Sequence, residues 1–116
     1  MDLYHYTCDR GRRGILRDGE IRPGLDGLVW LADTPSTPGP SSAFGHPLGL
    51  TNRATSCDRT AHRFVVHDAQ RVASPWTRMR HVYDPGWVRS LEAAPGAAPS
   101  QWWVATSPIR VFEGAA

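Results

Sequence analysis

Polar and apolar positions alternate from the first residues of the chain. Leu3, His5 and Thr7 fall on one side of an extended run and Tyr4 and Tyr6 on the other, the period-two pattern of a strand. A polar stretch then follows in which Ile15 and Leu16 supply the apolar contact. This predicts a short helix from Asp9, capped by that side chain and stopped in the left-handed conformation at Gly19. Gly11 and Gly14 each weaken the helix by roughly 1 kcal/mol relative to Ala. Glu20-Ile21-Arg22-Pro23 reads as a brief extended piece closed by a turn at Pro23 and Gly24.

Residues 28–32 form the clearest buried strand, ending at Asp33-Thr34-Pro35. The following stretch, to about Pro47, is too rich in Pro, Ser and Gly for a regular element and reads as a lid over a site. Leu48-Gly49-Leu50-Thr51 resumes an extended run. His62–His67 is a strand with Phe64 and Val66 on one face and Arg63, Val65 and His67 on the other. Ser74-Pro75 and Asp84-Pro85 each predict a helix start, a capping side chain followed by Pro at the first helical position. The second helix carries Trp87, Val88 and Leu91 at helical spacing and ends before Ala94-Pro95-Gly96. From Gln101 to Phe112 the pattern is two strands broken near Ser107-Pro108. Gln101, Trp103 and Ala105 share one face of the first, Trp102 and Val104 the other. Short strands mixed with short helices imply an α+β fold.

A length of 116 residues with 41% hydrophobic content suits one globular domain over residues 1–116. No run of about 18 apolar residues and no signal-like segment occurs, so a cytoplasmic protein with no membrane partner is expected. All 13 basic residues are Arg, and the net charge is only +2, which is no broad footprint for duplex nucleic acid. A codon bias accounts for the Arg usage; bidentate binding of phosphate is the functional alternative. Cys8 and Cys57 are far apart, and His5, His46, His62, His67 and His81 form no metal-ligand motif, so neither a disulfide framework nor a metal is expected. Cys57 reads as a small buried residue.

Three runs place polar atoms among large rings: Leu3–Thr7, Leu28–Pro35 and Gln101–Pro108. Polar groups converging on aromatic walls are how ligand pockets are built, which makes these runs a candidate nucleotide site. His5 can exchange a hydrogen bond with a ribose hydroxyl, and the Thr7 hydroxyl with a base or amide edge. Adjacent on a strand, Trp102 and Trp103 face opposite ways, so one of them belongs to the core. Trp76 and Trp87 read as packing residues.

Tyr4-His5-Tyr6-Thr7 resembles the first-strand H-x-T signature of the ADP-ribosyltransferase superfamily. The order that follows is also similar: a short helix ending in Asp18-Gly19, Ile21-Arg22-Pro23, then Val29-Trp30-Leu31-Ala32. Gln101-Trp102-Trp103-Val104 falls where that family places the strand bearing its catalytic acid. The resemblance implies a split antiparallel β-sheet core with short helices, NAD as co-substrate, and transfer of ADP-ribose to an acceptor such as a nucleic acid or a small molecule. It also implies roles for single residues. His5 would bind the adenosine ribose, Thr7 would assist at the nicotinamide side, Trp30 would lie near the cleft wall, and Arg63 would meet the diphosphate. Gln101 would hydrogen-bond the nicotinamide ribose. His5, Gln101 and Arg63 are then the catalytic candidates, and Tyr4, Thr7, Trp30, Arg59 and Trp102 the NAD-contacting ones.

Gln101 departs from the family, which has Glu there. A neutral amide keeps the hydrogen bond but loses the Coulombic stabilisation of the cationic transition state. The three Glu residues, Glu20, Glu92 and Glu113, lie on no strand predicted to face the site. Two other readings follow. RNA 2′-phosphotransferases of the same superfamily do without that Glu and grip phosphate with several Arg, for which Arg59, Arg63 and Arg71 are candidates. The chain could also be a non-catalytic nucleotide-binding module.

Overall fold

A computed structural model describes residues 1–35, 51–52, 57–58, 61–93 and 97–111. Nine strands are present among the described residues: β1 (Leu3–Thr7), β2 (Glu20–Ile21), β3 (Val29–Ala32), β4 (Thr51–Asn52), β5 (Cys57–Asp58), β6 (His62–Val66), β7 (Ser74–Pro75), β8 (Trp102–Ala105) and β9 (Ile109–Arg110). The helices are α1 (Asp9–Asp18), α2 (Trp76–Met79) and α3 (Pro85–Glu92). The main sheet is antiparallel, five strands in the order β6-β1-β3-β8-β7, and β2–β9 and β4–β5 form two separate two-stranded ribbons. The fold is α+β. The predicted lid and the predicted strand over residues 48–50 lie outside the described residues, as do the side chain of Cys57 and all of His46, Arg59 and Glu113.

Strand alternation sends successive side chains to opposite faces, and each face has its own core. On one, Leu3, Val29, Leu31, Phe64, Val66 and Ala105 pack against Ile15 of α1 and against Ile21 and Ile109 of the β2–β9 ribbon. On the other, Leu28, Trp102 and Val104 pack against Trp76 of α2 and against Val88 and Leu91 of α3. Burying a side chain of this size contributes about 1.5–3 kcal/mol, so the two faces together fix the order and register of the strands.

Several local expectations hold, and others change for identifiable reasons. Gly19 ends α1 at φ 71°, and its N–H donates to the Ile15 carbonyl. Asp9 does not cap that helix. Cys8 occupies the N-cap position without a side-chain bond to the helix, and Asp9 is the first helical residue, where a carboxylate still favours the helix dipole and its Oδ1 contacts His62 Nε2 on β6. Asp84 caps α3 as predicted, accepting from the Trp87 N–H at 2.9 Å, with Pro85 following. Ser74-Pro75, by contrast, is no helix cap: the two residues form β7, drawn into the sheet by pairing with Val104 and Trp103. α2 starts after them at Trp76.

Gly11 has a role beyond its low helix propensity. A Cβ at this position would collide with the Thr7 hydroxyl, so α1 crosses β1 closely only because the residue has no side chain. Gly11→Ala should therefore destabilise the protein by about 1–3 kcal/mol through overpacking, against a helix-propensity gain of roughly 1 kcal/mol. Thermal melting checks this: a lower midpoint is expected, and trimming the partner in Gly11→Ala/Thr7→Ala should restore part of the loss.

Candidate functional site

The three runs singled out by their aromatic and polar residues are neighbours in space: β1, β3 and β8 lie side by side in the sheet. The seam between the first two is loose. β1 pairs with β6 through five residue pairs, from Leu3–Val66 to Thr7–His62, but with β3 through the single pair Tyr4–Ala32. Beyond that pair the His5 ring spans the gap, with Nδ1 2.8 Å from the Trp30 carbonyl oxygen. A carbonyl only accepts, so Nδ1 carries the proton, and in the neutral ring Nε2 is the accepting nitrogen.

At the other edge of β3 the ladder to β8 is regular, Val29–Ala105 through Ala32–Trp102, and extends one step further where the Asp33 N–H donates to the Gln101 carbonyl at 3.0 Å. Gln101 is not on the strand, as its sequence suggests, but ends the 3-10 turn Pro99–Gln101 that leads into it. Its Oε1 accepts from the Thr34 hydroxyl at 3.4 Å. The Gln101 amide is thus held against the end of β3.

The remaining candidates divide between the two faces. His5 and Thr7 share a face with Leu3. Tyr4, Arg63, Trp30 and Trp102 are on the opposite one, as the pairings Tyr6–Arg63, Tyr4–Ala32 and Ala32–Trp102 require. Thr7 is buried under α1. Trp30 is half-buried and donates its indole N–H to Asp26 Oδ2 at 2.9 Å, while packing on Trp76 and Trp102. Trp102 itself is only 1% exposed and presents no surface to a ligand. Trp103 is the half-buried member of the pair and packs against the first core.

Arg63 is exposed but engaged. Its guanidinium lies over the Tyr4 ring, 5.3 Å from the centroid, and Nη1 donates to the Pro35 carbonyl at 2.8 Å. It also hydrogen-bonds Tyr6, which lowers that phenol's pKa against the larger effect of burial, which raises it. The cation–π contact and the backbone bond hold the guanidinium at the outer side of β1. Arg71 lies in a 3-10 turn beyond the opposite end of β6 and is not gathered with Arg63. Arg59 lies outside the described residues.

Asp33 is the residue that the sequence did not single out. It is half-buried beside Gln101, and burial pushes its carboxyl above the ordinary value. The signal was present, an acid at the end of the most apolar strand, but its neighbour is supplied by the far end of the chain. Among the described residues no group of His, Cys, Asp and Glu is placed to hold a metal ion, and no helix is long and apolar enough to cross a membrane. No family model matches the chain, and neither a curated protein nor a solved structure matches it.

Proposed function

We propose that this chain is an ADP-ribosyltransferase-like enzyme that cleaves NAD at the nicotinamide glycosidic bond and transfers ADP-ribose to an acceptor. The observation that carries the reading is the adjacency of β1, β3 and β8, with His5 at the loosened β1–β3 seam and Gln101 against the end of β3. Residues from the two ends of the chain, resembling the H-x-T motif and the acid-bearing strand, come to two strands of one antiparallel sheet that only β3 separates. In this reading His5 binds a ribose hydroxyl through Nε2 and Gln101 holds the nicotinamide ribose, while Arg63, on the opposite face of the sheet and held by Tyr4 and the Pro35 carbonyl, is left out of the site. The neutral Gln101 favours one second reading, a module that holds NAD without cleaving it.

Incubation of the purified protein with NAD labelled in the adenylate phosphate, plus a cell lysate, separates these. Label released only by nuclease identifies a nucleic-acid acceptor, and label released only by protease a protein. Free labelled ADP-ribose identifies hydrolysis. Intact NAD throughout contradicts the enzymatic reading.

A further inference from the structure

The carboxylate that Gln101 fails to provide has a counterpart one strand away. Asp33 closes β3, its N–H bonded to the Gln101 carbonyl, and the next residue, Thr34, bonds the Gln101 side chain. Asp33 is half-buried, yet among the described residues its carboxylate forms no ion pair and takes no hydrogen bond from another residue. Other acidic side chains of the fold are held differently. Asp26 accepts from the Leu28 N–H and the Trp30 indole, Asp84 caps α3, and Glu92 takes three bonds from Trp76 and Arg80. A carboxylate drawn partly out of water with only its own backbone N–H as a partner is under-compensated, and beside a candidate site it can receive a positive charge.

NAD cleavage generates such a charge. When the bond between ribose C1 and the nicotinamide nitrogen breaks, its electron pair leaves with neutral nicotinamide, and the positive charge carried by the pyridinium passes to the ribose ring. The acceptor hydroxyl then forms a bond to C1 and releases its proton to solvent. We infer that Asp33 is the catalytic carboxylate, facing the ribose cation as it forms, with Gln101 a positioning residue that hydrogen-bonds the same ribose. This rests on the NAD reading above. It makes a neutral residue at the family's acid position compatible with catalysis, because the charge comes from the adjacent strand.

The test is nicotinamide release and NAD affinity measured on the wild type, Asp33→Asn and Asp33→Asn/Gln101→Glu. Asp33→Asn should lower turnover by about 100-fold or more, the scale for losing a preorganised electrostatic group, while NAD affinity stays within a few-fold. Its melting temperature should stay close to the wild type's, because no other residue bonds the carboxylate and the Asn amide oxygen can still accept from the residue's own N–H. The double variant, which moves the charge to the neighbouring strand, should recover part of the lost turnover. Wild-type turnover in Asp33→Asn would overturn the assignment and leave the NAD reading standing. A wild-type protein that releases no nicotinamide would overturn the NAD reading itself.

Discussion

Glu92→Ala is expected to cost the fold about 2–3 kcal/mol at neutral pH, most of it through Trp76. The Glu92 carboxylate accepts from Trp76 Nε1 at 2.7 Å and from Arg80 Nε and Nη2, both at 2.8 Å. Trp76 is fully buried at the centre of the second core, in ring contact with Trp30, Tyr83, Trp87 and Trp102. Without Glu92 its N–H has no acceptor and no route to water, the costly way to break a hydrogen bond. Arg80, with 36% of its side chain exposed, rehydrates instead, so the ion pair adds little to the loss. Glu92→Gln keeps an acceptor for the indole and should recover much of the difference.

The same group fixes a pH dependence. The Arg80 guanidinium holds the Glu92 carboxyl below its ordinary value, and burial opposes this less strongly. A depressed carboxyl contributes stability that is complete above its unfolded pKa and is lost as pH falls through the folded one. Urea unfolding should therefore show the wild type well above Glu92→Ala at neutral pH and the gap narrowing in acid as the Arg80 pairing is lost, without closing, because the protonated carboxyl still accepts from the Trp76 indole. Equal midpoints at neutral pH would contradict the role given to Glu92.

His5→Asn should weaken NAD binding by about 10-fold or more with little change in stability, since the loss of one hydrogen bond to a ligand is worth roughly 1–2 kcal/mol. The choice of Asn separates two roles of the ring. Its amide N–H can still donate to the Trp30 carbonyl, replacing Nδ1 at the β1–β3 seam, but nothing in it replaces Nε2. His5→Ala removes both and is expected to lose stability as well as affinity. If His5 serves only to close the seam, His5→Asn will bind NAD like the wild type.

Strands whose two faces meet different surroundings were legible in the chain. β1 and β6 show alternation, β3 and β8 the continuous apolar runs of strands covered on both faces, and the Asp84-Pro85 start of α3 is local chemistry that reads directly. Of the two-residue strands, β2 and β9 fall within runs that read as extended, whereas β5 and β7 do not, because two residues alone have no period to read. Ser74-Pro75 has the composition of a helix cap and becomes a strand only because β8 offers it a partner. The aromatic pair shows the same limit. Alternation says that Trp102 and Trp103 face apart, but α2 and α3, packed on one face, decide that Trp102 is the buried one. Asp33 likewise gains its interest from Gln101, which the strand order brings beside it from the opposite end of the chain. The motif singles out His5, but its bond across the seam to the Trp30 carbonyl could not be read from it.

The most direct measurement of the central claim is nicotinamide release from NAD by the purified wild-type protein, with His5→Asn in parallel. The account predicts slow but measurable release by the wild type and a loss of about 10-fold or more at sub-saturating NAD in the variant. Release that is absent from the wild type, or equal in the two proteins, would contradict it.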